Sequence, residues 1–190
     1  MNPHFLFNAL NTVASLVRTD PPAAETTIEN LSEVLRTTLQ RTEGTSGTVR
    51  EEIDFVRAYL AVESQRFGSR LAVNWRVDPA ALDVSLPPLM LQPLVENALK
   101  HGISHRREGG RIAIAVTLES GRLRIEVADD GEGFPDSVAE GTGLGNLRKR
   151  LEVIYGPAAS LSIASSRRGA RVALDLPITA DESRHARADR

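Results

Sequence analysis

The chain has 190 residues, a formal net charge of −2, 41% apolar residues, 4% aromatics and no cysteine. That length suits one domain or two small ones, and the near-balanced charge argues against direct nucleic-acid binding. The missing cysteines exclude disulfides, thiolate catalysis and cysteine-held zinc, and no apolar run reaches the roughly 20 residues that span a bilayer.

In chain order, residues Asn2 to about Leu39 read as two helices parted at Asp20-Pro21-Pro22. Asn2 is placed to cap the first and Pro3 to open it. Leu6, Leu10, Val13 and Val17 recur at helical spacing as a buried stripe, and Ile28, Leu31, Leu35 and Leu39 line one side of the second segment. After the break at Gly44-Thr45-Ser46-Gly47, the run Thr48-Val49-Arg50-Glu51 has the form of a capping box. It opens a helix that carries Ile53, Val56, Leu60 and Phe67 and stops near Gly68. Short helices with apolar stripes need partners, so this half is expected to be a helical hairpin or half of a dimeric bundle.

Beyond Gly68, Leu71, Val73, Trp75 and Val77 alternate with polar residues as in a half-buried strand. Leu89 to Lys100 predicts a buried helix closed by Gly102. Ile112, Ile114, Val116 and Leu118, the turn Glu119-Ser120-Gly121, and Leu123, Ile125 and Val127 predict a hairpin. A helix over Gly143 to Ile154 and strands at Leu161/Ile163 and Val172/Leu174/Leu176 complete the fold, with a polar tail after Ile178. The fold class is α/β: helices on one face of a mixed, partly antiparallel sheet, a two-layer α/β sandwich.

Three elements carry chemistry. Asp129-Asp130-Gly131-Glu132-Gly133 closes a strand, so a carboxylate there can accept from an exocyclic adenine amine while glycines allow a close turn; an ordinary surface turn is the competing reading. Gly141-Thr142-Gly143-Leu144-Gly145 leads into a helix start whose N–H groups suit phosphate oxygens, or is a plain flexible connection. On the helix before the hairpin, Asn97 offers a neutral oxygen to magnesium and Lys100 lies near the same face to meet phosphate; the bland alternative for Asn97 is a hydrogen-bonding structural residue.

These three segments, from Leu91 to Gly102, from Asp129 to Phe134 and from Gly141 to Leu147, resemble the N, G1 and G2 boxes of the ATP-binding superfamily of gyrase, Hsp90, histidine kinases and mismatch-repair proteins. Arg148-Lys149-Arg150-Leu151 and Tyr155-Gly156 resemble one branch, the autolysin-regulator type sensor histidine kinases. The resemblance implies a Bergerat-type sandwich that uses ATP and Mg2+. It makes Asn97 the magnesium residue and Asp129 the adenine acceptor, and it places Lys100, His101, Asp130, Gly131, Gly133, Gly141, Thr142, Gly143, Leu144 and Gly145 around the nucleotide, with the glycines shaping the pocket and its lid. Asp130 stands where the family usually has asparagine, which puts extra negative charge near the phosphates. Hydrolytic members usually place a glutamate four residues before the asparagine; here that residue is Pro93, which accepts no proton, so transfer to a protein nucleophile is favoured.

Asn2-Pro3-His4-Phe5-Leu6-Phe7-Asn8-Ala9-Leu10-Asn11 is similar to the H box of the same branch, which makes His4 the candidate phosphoacceptor. Asn8 and Asn11 fall on the His4 side of the helix, away from the expected stripe. The run from Glu51 to Gly68 resembles the second helix and linker of the branch; there Glu63 either positions the histidine or lies on a solvated face, and Arg106 and Arg107 read as phosphate contacts or plain basic surface.

The expectation is the catalytic portion of a sensor histidine kinase that phosphorylates His4 and passes the group to an aspartate of a response-regulator receiver domain. It is expected as a homodimer, divided at 1–68, 69–178 and 179–190, cytoplasmic as supplied, and as the cytoplasmic portion of an inner-membrane sensor whose sequence continues before the H box. A protein-serine kinase of the anti-sigma type and a nonenzymatic ATP-regulated dimeric module are the alternatives.

Overall fold

The computed structural model describes residues 3–41, 46–104, 106–133, 142–166 and 168–178. The expected Asn2 cap, Gly141 and the tail from residue 179 lie outside the described residues.

Helix α1 (Pro3–Thr19) and helix α2 (Pro21–Arg41) part at Asp20, whose Oδ1 accepts from the Ala23 N–H at 3.1 Å. Asp20 thus caps α2, and Pro21 and Pro22 occupy first-turn positions where no intrahelical N–H bond is lost. The inward faces differ from the expected stripes. On α1 the buried residues are Phe5 and Ala9, while Leu10 and Val17 are more than half exposed. On α2, Ala24, Thr27, Leu31 and Val34 pack inward, whereas Ile28 and Leu39 stay outside. Each helix is apolar on two adjacent flanks, and periodicity alone does not say which flank meets this chain and which faces outward.

Helix α3 (Val49–Phe67) begins with the expected capping box: Thr48 Oγ1 accepts from Glu51 N at 3.2 Å and Glu51 Oε2 accepts from Thr48 N at 3.0 Å. It ends at Gly68, whose φ of 58° suits a residue without Cβ. Both of its flanks are used. Phe55, Val56, Tyr59, Leu60 and Val62 join a single core that runs from Phe5 on α1 to Leu176 on the sheet. A short ribbon that the sequence did not signal, Gly47–Thr48 (β1) against Ser85–Leu86 (β3), ties the start of α3 to the next layer.

The main sheet has the order β2 (Leu71–Val77), β4 (Gly110–Glu119), β5 (Arg122–Asp129), β7 (Gly169–Pro177) and β6 (Ser160–Ser166). β2 runs parallel to β4 and the other neighbours are antiparallel, so the sheet is mixed as expected. Register stacks one apolar row over the next: Ile114 opposes Val127, which opposes Val172, and Val116 opposes Ile125, which opposes Leu174. Ser120 and Gly121, with φ of 50° and 74°, form the two-residue turn of the β4–β5 hairpin.

The helix expected from Leu89 to Lys100 is shorter and irregular. Leu89 has φ 61° and is not helical; α4 (Gln92–Asn97) starts three residues later and continues into a π-helical turn over Ala98–Ile103. Gly102 lies inside that turn and does not cap the helix. Helix α5 (Thr142–Tyr155) runs one residue further than expected at each end.

Candidate functional site

The site begins with strand parity. Side chains alternate across a strand, so Leu123, Ile125, Val127 and Asp129 share the inward face of β5, and the fourth member of that row is a carboxylate. Its Oδ1 accepts from Gly131 N at 3.0 Å and from Ala170 N at 3.4 Å. Burial pushes the Asp129 carboxyl above the ordinary aspartate value; the two N–H bonds oppose the rise, the Asp130 charge adds to it and His101 opposes it.

The next residue has the opposite parity. Asp130 is exposed; its Oδ1 accepts from Arg111 N at 2.7 Å while its own N–H donates to Arg111 O at 3.2 Å. Arg106 donates to the Asp130 carbonyl and lies 3.5 Å from its carboxylate. Asp130 is therefore a fastening of the turn to β4, with a cation beside its charge, and Arg106 is part of that clamp rather than plain surface. Arg107 is exposed.

The π-turn brings the neighbouring helix onto Asp129. Ser104 donates through N and Oγ to Leu99 O at 2.9 and 2.8 Å, an i to i+5 closure that widens the helix at this point. A Cβ on Gly102 would stand 2.6 Å from Asp129 Oδ1, and a Cβ on Gly131 would run into Gly102. Only glycine at both positions lets the helix backbone, the turn and the carboxylate close up. His101 is near enough to bear on the Asp129 charge, Lys100 is exposed, and Asn97 is the half-buried last residue of α4.

Of the expected lid, Gly133 has φ 74° and would collide with the Ser166 carbonyl if it carried a Cβ. Gly143 is exposed with open space around it, Gly145 is half-buried, and Leu144 is buried as an anchor in the core. Thr142 opens α5.

His4 sits on a different element. It is on the exposed side of α1, with the Asn8 amide 3.1 Å from its Nδ1, as the four-residue spacing predicts. The adjacent Phe5 turns inward and stacks on Tyr59 of α3, ring centroids 4.6 Å apart. One turn on from Tyr59, Glu63 is only 5% exposed, so it is not on a solvated face. Burial raises its carboxyl above the ordinary value, opposed by Arg66 and reinforced by Glu96. Arg66 Nη2 lies 2.7 Å from Glu63 Oε2, off the line of a good hydrogen bond. Glu96 precedes Asn97 and accepts from Gln92 Nε2 at 2.6 Å within α4; because Phe5 stacks on Tyr59 and the Glu96 charge bears on Glu63, α3 lies between the His4 helix and the Asn97 helix.

Glu52 was not singled out by its sequence position. It is 2% exposed, and its carboxylate accepts from three successive backbone N–H groups, Leu89 at 2.7 Å and Met90 and Leu91 at 2.9 Å. The advance signals are its place one residue after the capping box and its membership of the Glu51–Gly68 run that resembles the second helix of the branch.

Two family models match this chain: "Histidine kinase" over residues 1–71, and "Histidine kinase-, DNA gyrase B-, and HSP90-like ATPase" over residues 85–180. The chain belongs to the histidine kinase family. The second match spans β4, β5, β6 and β7 of the sheet, the Asn97 helix and the Asp129 turn, and leaves out the edge strand β2. Sensor protein LytS of Staphylococcus epidermidis is 34% identical over 97% of this chain and 34% of its own length. Sensor histidine kinase BtsS of Escherichia coli K12 is 38% identical over 93% of this chain and 32% of its own length. The chain thus spans about a third of these curated relatives. The fold is similar to that of histidine kinase ThkA, solved in complex with response regulator protein TrrA, with a TM-score of 0.55 at 16% identity over 93% of this chain and 59% of that one. No helix among the described residues is long and apolar enough to cross a membrane.

Proposed function

We propose that this chain is the catalytic portion of a sensor histidine kinase that transfers the γ-phosphoryl group of ATP to His4 and then to an aspartate of a response-regulator receiver domain. The observation that carries the reading is the pairing, in one chain, of an exposed histidine on α1 with a family ATPase domain whose strand β5 ends in a carboxylate held by two backbone N–H groups.

The residues fit a nucleotide. Both Asp129 bonds use Oδ1, so Oδ2 is the oxygen assigned to the adenine amine, and Gly102 and Gly131 leave the ring side of the turn without side-chain bulk. No group of three or more acidic, histidine or cysteine side chains among the described residues could hold a metal alone. That suits Mg2+ bound through Asn97, water and phosphate oxygens. Lys100, His101, Gly133 and the α5 start around Thr142, Gly143, Leu144 and Gly145 complete the nucleotide set, to which the resemblance adds Gly141. When bound, MgATP supplies the electrophilic terminal phosphorus and the ADP leaving group.

His4 contributes the nucleophile. Nε2 is assigned the attack in the tautomer that carries its proton on Nδ1, with the Asn8 amide turned so that its oxygen accepts from Nδ1–H: an Nε2–P bond forms as the bond from phosphorus to the ADP oxygen breaks, and the Nδ1 proton passes to water. A receiver aspartate then takes the phosphoryl group, and the neutral ring returns. The helical part, 1–68, holds two copies together and the 69–178 part binds ATP. By its likeness to sensor proteins of which it spans about a third, the chain is assigned to the cytoplasmic side of a membrane-attached parent.

The test is autophosphorylation with γ-labelled ATP and Mg2+ on the wild type and His4→Gln. Label that is acid-labile, alkali-stable and absent from the variant supports the reading; unchanged labelling of the variant removes His4 as the acceptor.

A further inference from the structure

Residues 88–91 join β3 to α4 and are held from two sides. From α3, the buried Glu52 carboxylate accepts the Leu89, Met90 and Leu91 N–H groups. From α5, Arg150 donates to the Pro88 carbonyl. The left-handed conformation of Leu89, φ 61°, turns three successive N–H groups to one side, forming a backbone nest for an anion. A leucine in that conformation is strained, and three charge-assisted bonds to one carboxylate are the interactions that hold it there.

The positions of the three helices give this junction its meaning. α3 is the helix on which the neighbour of His4 stacks, through Phe5 and Tyr59. α4 begins at the next residue after the nest, makes no side-chain cap of its own, and ends in Asn97. α5 begins at the lid glycines and carries Arg150 two turns in. One carboxylate therefore fastens the start of the Asn97 helix to the His4 side of the molecule, while the lid helix grips the same segment from opposite.

We propose that Glu52 is a positioning residue for phosphoryl transfer: its hold on the 89–91 nest sets the orientation of the nucleotide site relative to the helices that carry His4. This rests on the kinase reading above. Glu52 is remote from the Asp129 turn in the chain of contacts described, so its loss alters the approach to His4 and not the recognition of adenine.

The test compares full-length wild type, Glu52→Gln and Leu89→Gly for MgATP affinity by calorimetry and for kcat and KM of His4 labelling. Glutamine keeps the shape but replaces one acceptor oxygen with an NH2 group that faces donors. Glycine keeps all three N–H groups and accepts a positive φ without strain. The expected result is a tenfold or greater fall in kcat for Glu52→Gln with KM and ATP affinity within twofold of wild type, and wild-type kcat and KM for Leu89→Gly below its own melting temperature, the lost half-buried side chain lowering only the melt. An unchanged kcat in Glu52→Gln, a matching fall in its ATP affinity, or equal losses in both variants overturns the proposal. A wild type that binds ATP yet leaves His4 unlabelled overturns the kinase reading, and this proposal with it.

Discussion

Gly102 presents its bare Cα to the Asp129 carboxylate, so closely that a Cβ there would stand 2.6 Å from Oδ1. The contact joins the π-turn after Asn97 to the end of β5, and with it the two halves of the proposed nucleotide site. Gly102→Ala must push the carboxylate or the turn aside, an overpacking cost of about 1–3 kcal/mol. The expected outcome is a folded protein with ATP affinity reduced about tenfold, read by calorimetry beside a thermal melt; wild-type affinity would show that Asp129 does not need this contact.

Asp129→Asn separates recognition from stability. The charged acceptor contributes about 1.5–3 kcal/mol to a hydrogen bond, so ATP affinity should fall on the order of tenfold to a hundredfold. The carboxyl value is raised in the fold, so the folded state holds its proton more tightly than the unfolded one. Stability from this group is full below the unfolded value and is lost as pH rises through the folded value. At neutral pH the asparagine variant, which keeps an acceptor for Gly131 and Ala170, should therefore melt at or above the wild-type temperature. A large drop in Tm would contradict that sign.

The same shift sets a pH dependence of binding. ATP affinity should decline on acidification at a pH above the ordinary aspartate range, because burial raises the Asp129 value. Asp130→Asn removes a charge that raises it and should move the decline to lower pH, whereas His101→Gln removes one that lowers it and should move the decline upward. Titrations of all three proteins check the order.

Asp130→Asn should otherwise be mild, since an amide oxygen still accepts from Arg111 N. Asp130→Ala leaves that N–H to water, while Arg106 keeps its bonds to the residue-130 carbonyl and to Glu108; at an exposed turn the cost should be at most about 1 kcal/mol. Urea unfolding of both variants gives the comparison, and equal losses would mean that the fastening to Arg111 contributes nothing.

Phe7, Leu10 and Val17 remain more than half exposed on α1. If that flank meets a second copy, Leu10→Asp should shift a sedimentation profile from dimer to monomer while leaving the monomer's Tm within a few degrees. A wild type that sediments as a monomer at micromolar concentration would remove the premise.

Much of the fold and site was legible in advance because it rests on local rules. The capping box at Thr48 and Glu51, the Gly68 stop, the Ser120-Gly121 turn and the alternating rows of β4, β5 and β7 are set by residues close in sequence. Asp129 and the motif glycines were named from the resemblance to the ATP-binding superfamily, because each taken alone also reads as an ordinary turn; strand parity accounts for the inward face that the Asp129 carboxylate occupies.

What the sequence did not fix are choices between surfaces far apart in the chain. The apolar flank of α1 that turns inward is decided by Tyr59, which stacks on Phe5 from 54 positions away. Leu89 leaves helical geometry because a carboxylate 37 residues earlier receives its N–H. Propensity and periodicity describe what each segment is able to bury or bond. By themselves they determined the helices, the sheet and the candidate chemistry; only tertiary packing decided that Glu52 and Glu63 are buried, that Asp130 fastens a turn, and that Gly102 closes a site instead of ending a helix.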